Sequence, residues 1–183
     1  MVNLDFWINA SPRRKRIISI IVVFVVLLVI TIAGSLTPID AQEAKRLTDN
    51  LNQTINALKE SDALMQYIFG NNLLICILMV IPVIGPIIGC YALFNTGGVI
   101  GAIAAVEGYP PAFAFAALFV TPVAWLEYMA YSASISESAW LFRRVLQGKF
   151  RHELKNACIF ITLCTALLLI GAVIETVMLS VKI

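Results

Sequence analysis

Residues 71–140 read NNLLICILMVIPVIGPIIGCYALFNTGGVIGAIAAVEGYPPAFAFAALFVTPVAWLEYMAYSASISESAW, and they decide the fold. Across this whole stretch the only charges are Glu107, Glu127 and Glu137. Glu127 falls within residues 112–140, a segment long enough to cross a bilayer. An ionisable group at that depth costs about 2.5–3.5 kcal/mol on insertion scales, so it faces a partner, a cavity or another helix rather than lipid. The segment therefore predicts a multi-span membrane protein with a buried acidic site.

Working outward, the composition agrees. The chain has 183 residues, 60% of them hydrophobic and 13% charged. It is too apolar for a soluble domain and too short for several domains. We expect one membrane domain over 1–183, an all-α, multi-pass helical membrane bundle with a Pro/Gly-broken helical hairpin and an extracytoplasmic amphipathic helix. The net charge of +2 hides a segregation. Arg13, Arg14, Lys15 and Arg16 form one basic cluster, and Arg143, Arg144, Lys149, Arg151 and Lys155 form another. Basic residues flanking spans stay on the cytoplasmic side, so both clusters are read as inside and neither as a nucleic-acid surface.

Residues 1–16 form the cytoplasmic N-terminus and 17–36 a first span, read as an uncleaved anchor rather than a signal peptide. Its twenty residues at 1.5 Å each cover about 30 Å of hydrocarbon. Thr37-Pro38-Ile39-Asp40 predicts a helix start with Thr37 as the cap. An outer amphipathic helix then covers 37–70, its stripe running through Leu47, Leu51, Ile55, Leu58, Met65 and Ile68. Such a helix lies over its own bundle, or offers a coiled-coil or docking surface to a partner. Asn52-Gln53-Thr54 within it matches an N-glycosylation acceptor, as does Asn9-Ala10-Ser11 on the opposite side.

Residues 71–106 are apolar but interrupted by Pro82-Val83-Ile84-Gly85-Pro86. Proline removes a helix donor there and glycine relaxes the backbone. We expect a hairpin of short or broken helices entering from outside, with a full crossing as the alternative. Cys76 and Cys90 flank the break symmetrically, which leaves a contact across the hairpin open. Residues 112–140 cross inward, 141–156 make a basic cytoplasmic linker, and 157–180 cross outward again, leaving the C-terminus outside.

Gly85, Gly89, Gly97 and Gly101 place small residues four apart, and Ala130 and Ser134 continue the device on the segment that carries Glu127. In lipid, close backbone approach drives helices together. The faces serve packing within one subunit or a homo-oligomer. Pro122 frees a carbonyl near the depth of Glu127, and Asn95, Thr96, Tyr131 and Ser134 are candidate partners for the acid. Glu127 then either fixes helix packing or takes part in a proton or cation relay. Glu137 and Glu175 are expected near helix ends, reached by water. With His152 as the single histidine, four dispersed cysteines and no phosphate-binding glycine loop, the sequence points to no enzyme, no metal and no cofactor. The expected partners are the lipid bilayer and other membrane subunits.

Pro122-Val123-Ala124-Trp125-Leu126-Glu127-Tyr128-Met129-Ala130 resembles the proline, small residue, glutamate, alanine signature of the stage II sporulation protein M family. Phe69-Gly70-Asn71-Asn72 and the glycine-rich stretch Gly85, Gly89, Phe94-Asn95-x-Gly97 and Gly101 are similar to that family's hairpin. The resemblance covers about 69–183. Family members often carry His-Gly after the motif proline, where this chain has Val123-Ala124. The resemblance implies a prokaryotic plasma-membrane protein, bacterial or archaeal. Relatives in sporulating bacteria scaffold a cell-wall-remodelling complex, so it also implies a non-catalytic scaffold or accessory subunit. From the residues alone, a small transporter or channel using Glu127 and the broken hairpin is the alternative.

Overall fold

The computed structural model describes residues 11–148 and 150–181, except for the side chains of Phe150 and His152. Asn9 and Ala10 of the second acceptor tripeptide, Lys149, the side chain of His152 and Lys182 thus lie outside the described residues. Seven helices make up the described chain: α1 Pro12–Ser35, α2 Ala41–Glu60, α3 Leu64–Met79, α4 Ile84–Glu107, α5 Pro111–Leu118, α6 Pro122–Leu146 and α7 Phe150–Val181. No strand occurs among the described residues.

Helix α1 begins before the apolar run, because Ser11 caps the backbone N–H of Arg14 and Pro12 occupies the first helical position. The basic cluster is therefore itself helical. Ile17, Ile21, Val22, Val25 and Val29 stay more than half exposed, marking the face left to lipid. The cap expected at Thr37 falls instead at Asp40, whose side chain accepts from Gln42 N at 2.9 Å. Thr37 closes α1 by donating to the Ala33 carbonyl at 3.1 Å, and Pro38 is left in the connector.

The single outer helix expected over 37–70 is two helices. It stops at Glu60, and Asp62 takes a positive φ of 54°. Lys59 donates to the Leu179 carbonyl at 2.7 Å, fixing the turn to the far end of α7. Met65 and Ile68 thereby belong to α3. The physical reason is the change of medium: Glu60-Ser61-Asp62 stays polar, while everything after Leu64 enters the bundle.

The Pro/Gly break also reads differently in three dimensions. α3 ends at Met79, and Val83 adopts φ 69°, a left-handed conformation that a β-branched residue rarely takes. A Cβ on Gly85 would overlap the Met79 carbonyl, so glycine is what lets α4 leave this turn. The tip does not stop partway. Val80 packs with Leu141 and Ala157, and the Ile81 carbonyl accepts from Ser138 at 2.8 Å. The hairpin thus runs the depth of the bundle rather than entering it shallowly. Cys76 and Cys90 form no disulfide across it; all four cysteines are free thiols.

The inward segment expected at 112–140 is broken as well. α5 and α6 meet at 84°. Pro122 starts a new helix after Thr121, since a proline ring clashes with the carbonyl four residues back and supplies no N–H. Trp125 Nε1 donates to the Phe119 carbonyl at 3.0 Å, closing the corner. α1, α4 and α7 are long and apolar enough to cross a membrane, with a fourth crossing if α5 and α6 count as one, and α3 is a shorter apolar helix of 16 residues.

Contacts set the helix directions. Arg16 meets Glu137 and Thr31 meets Tyr128, so α1 and α6 are antiparallel. Asn72 meets Glu127 and Ile81 meets Ser138, so α3 runs with α6. α1 crosses α4 where both are smallest: a Cβ on Gly97 would overlap the Thr31 carbonyl, and one on Gly101 would lie 2.6 Å from the Ser35 carbonyl. Gly89 faces Ile135 of α6. These four glycines are spent on contacts inside one chain.

Replacing Gly97 with leucine forces α1 and α4 apart. We expect a loss of about 1–3 kcal/mol or more of stability, measured by thermal unfolding in detergent. Gly70→Ala, where an added Cβ meets nothing within 4 Å, should unfold at or slightly above the wild-type temperature.

Candidate functional site

The polar groups inside the bundle form a column along α6, whose buried face carries Tyr128, Tyr131, Ser132, Ser134, Ser136, Glu137 and Ser138. At its upper end Glu127 accepts a hydrogen bond from Asn72 Nδ2 at 2.5 Å. Asn72 of α3 is thus the partner of the acid. Glu175 of α7 joins Glu127 on the wall of a cavity of about 230 Å³, together with Thr96, Thr121 and Tyr128. Glu175 lies within the last two turns of α7, toward the helix end where the sequence places it.

The other candidate partners go elsewhere. Asn95 is exposed on α4 and does not reach Glu127. One residue along a helix turns the side chain by about 100°, so Thr96 lines the cavity while Asn95 looks away from it. Tyr131 is buried in the apolar core beside Leu27, Cys76 and Leu168, without a hydrogen bond to Glu127. Ser134 lies one turn lower, with its hydroxyl 2.9 Å from Cys76 Sγ and donating to Cys164 Sγ at 3.6 Å. Ala130 is fully buried, and its carbonyl accepts from Cys164 at 3.4 Å. Pro122 frees no carbonyl inside a continuous helix, because it opens α6. Tyr128 faces α1, donating to Thr31 Oγ1 at 2.7 Å. Asn52 is exposed on α2.

The lower end of the column holds what the sequence reading missed. Glu137 was expected at a helix end in reach of water, yet its side chain is 1% exposed and ion-paired with Arg16. Arg16 also pairs with Glu153, itself 1% exposed. Arg144 Nε holds the other oxygen of Glu153 at 3.1 Å, and Asn156 donates to Glu153 at 3.1 Å. Two arginines and two glutamates thus neutralise each other and tie α1, α6 and α7 into one knot. Arg16 further lies over the rings of Trp140 at 5.0 Å and Phe160 at 5.6 Å, using the planar, weakly hydrated face of guanidinium. Ser19 and Ser136 are 2.6 Å apart just above it, and Trp140 Nε1 donates to Ser19 at 3.3 Å. Arg16 and Arg144 were read only as topology markers. The available signal was position: Arg16 directly precedes the apolar run, and Glu137 sits in a serine-rich apolar stretch with no counter-charge nearby in sequence.

Among the described residues, no group of three or more His, Cys, Asp or Glu side chains could hold a metal ion. What the arrangement does chemically is bind helices together, with one acid pair facing a cavity.

Spanning-length helices packed by glycine, with ionised groups either at the ends or paired inside, define a multi-pass helical membrane protein. The family model for SpoIIM, stage II sporulation protein M, matches residues 19–178, and the chain belongs to that family. No curated protein and no solved structure matches it.

Removing one member of the ionic knot leaves a buried charge without its partner. Glu137→Ala should cost about 3–5 kcal/mol. The surface pair Glu43–Arg46, 3.7 Å apart and largely exposed, should change stability by less than about 1 kcal/mol when Glu43 becomes alanine. Chemical unfolding in detergent micelles reads both.

Proposed function

We propose that the protein is a non-catalytic integral membrane scaffold or accessory subunit that helps assemble a larger membrane complex in a prokaryotic plasma membrane. The observation that carries this reading is the placement of α2. Ala44 is fully buried, and Leu47, Ile55 and Leu58 are half-buried, where α2 lies along α4. Glu43, Lys45, Arg46, Asp49, Asn52 and Gln53 are left facing outward. A rigidly held, polar, mixed-charge helix at one end of a bundle is a docking surface that needs no chemistry of its own. Family membership supports the same reading.

Orientation follows from charge. Arg16 and Arg144 come from the two basic clusters and meet on one glutamate, so both clusters occupy the same end of the bundle. By the positive-inside rule that end is cytoplasmic. Lys59 and the Leu179 carbonyl lie together at the opposite end, which supports reading α2 and the end of α7 as outside.

Purification from native membranes followed by mass spectrometry tests the role. The chain should co-migrate with other subunits, and reversing the α2 face with Glu43→Lys and Asp49→Lys should release them while the bundle still melts as wild type. A preparation holding this chain alone, as monomer or homo-oligomer, overturns the scaffold reading.

The cavity bordered by Glu127 and Glu175 favours a second reading, a small proton or cation pathway. It predicts flux in proteoliposomes that Glu127→Gln abolishes. Absence of flux, or flux unchanged by the substitution, removes it.

A further inference from the structure

We infer that a second copy of this chain docks on the outward face of α4, with the Asn95 amides of the two copies hydrogen-bonded to each other. Asn95 lies midway along α4, in the middle of a helix long enough to cross the membrane. Its side chain is exposed, and no described residue hydrogen-bonds to it. Its neighbour Thr96 is satisfied, turning its hydroxyl back to the Ala92 carbonyl at 3.0 Å. Asn95 has no such local acceptor. Acyl chains offer none either.

The other faces of α4 are already used. Gly89 meets α6, while Gly97 and Gly101 meet α1. The Asn95 face differs: Tyr91, one turn before, is 71% exposed, and a Cβ on Gly98, one turn after, would meet nothing within 4 Å. That face therefore pairs a polar group in want of a partner with room for another backbone to approach, the two features that join helices in lipid.

The occupant follows from the chemistry of the amide. It carries both donors and an acceptor, so it is complementary to itself. Two copies related by a twofold axis satisfy each other with reciprocal N–H···O bonds, as an isologous interface requires. A carboxylate or a cation at this position would call for a different partner, whereas an amide is met by its own copy. This interface is separate from α2 and stands or falls independently of the scaffold role.

The test is the dimer fraction of purified, fluorescently labelled full chain in phosphatidylcholine vesicles, read by energy transfer as the protein-to-lipid ratio is varied. Wild type should dimerise. Asn95→Leu should weaken dimerisation about tenfold, Gly98→Leu should weaken it too, and Asn95→Gln should retain most of it. Ile170→Ala, on an exposed position of α7, should leave it unchanged. Because Asn95 is exposed and a Cβ on Gly98 would meet nothing within 4 Å, all four variants should melt no lower than wild type, which separates lost association from lost folding. A wild type that stays monomeric at every density overturns the proposal. So does an Asn95→Leu variant that dimerises like wild type.

Discussion

The ion pairs of Arg16 with Glu137 and Glu153 hold the bundle's register. A guanidinium surrounded by apolar helices is unfavourable unless its charge and its donors are met, and here three helices must be aligned to meet them. Replacing such a knot with well-packed aliphatic residues would not necessarily lower stability. What the knot supplies is discrimination: a helix slipped by one residue leaves a bare charge in a low-dielectric interior. Trp140 and Phe160 add to it by covering the faces of the guanidinium, so that the charge is met in the plane by carboxylates and above it by rings.

From that fixed end the remaining packing follows along α6. Its serines let it pass close to its neighbours while each hydroxyl finds a carbonyl, a thiol or another hydroxyl: Ser132 on Tyr128, Ser134 on Cys76 and Cys164, Ser136 on Ser19, and Ser138 on Ile81. These bonds reach α1, α3 and α7 in turn. Glycine performs the same service between α1 and α4. In a solvent as apolar as the side chains, contact and hydrogen bonding replace hydrophobic burial as the means of association. The acid pair Glu127 and Glu175 belongs to the opposite end, where the column opens into a cavity.

This arrangement gives the stage II sporulation protein M family member a rigid core and two surfaces with different chemistry. One is the polar, exposed face of α2, and the other is the exposed Asn95 face of α4. The docking proposed for the first is by charge and for the second by hydrogen bonding, and neither draws on the groups that hold the core.

The sequence by itself determined the helical class, the membrane setting, the glycine faces, the chain break near Pro82 in location, and Glu127 as an acid in need of a partner. Each depends on local composition or on spacing along one helix, which the chain displays directly. Tertiary structure alone decided who the partners are. Asn72 lies 55 residues from Glu127 and Arg16 lies 121 residues from Glu137, and no periodicity links positions so far apart. It also decided which breaks are corners, because a proline read as loosening a helix becomes a helix start once the chain must turn. Finally, it separated Asn95 from Thr96. Adjacent residues look alike in a sequence, but on a helix they face directions about 100° apart, and only the packed bundle shows which of them borders the cavity.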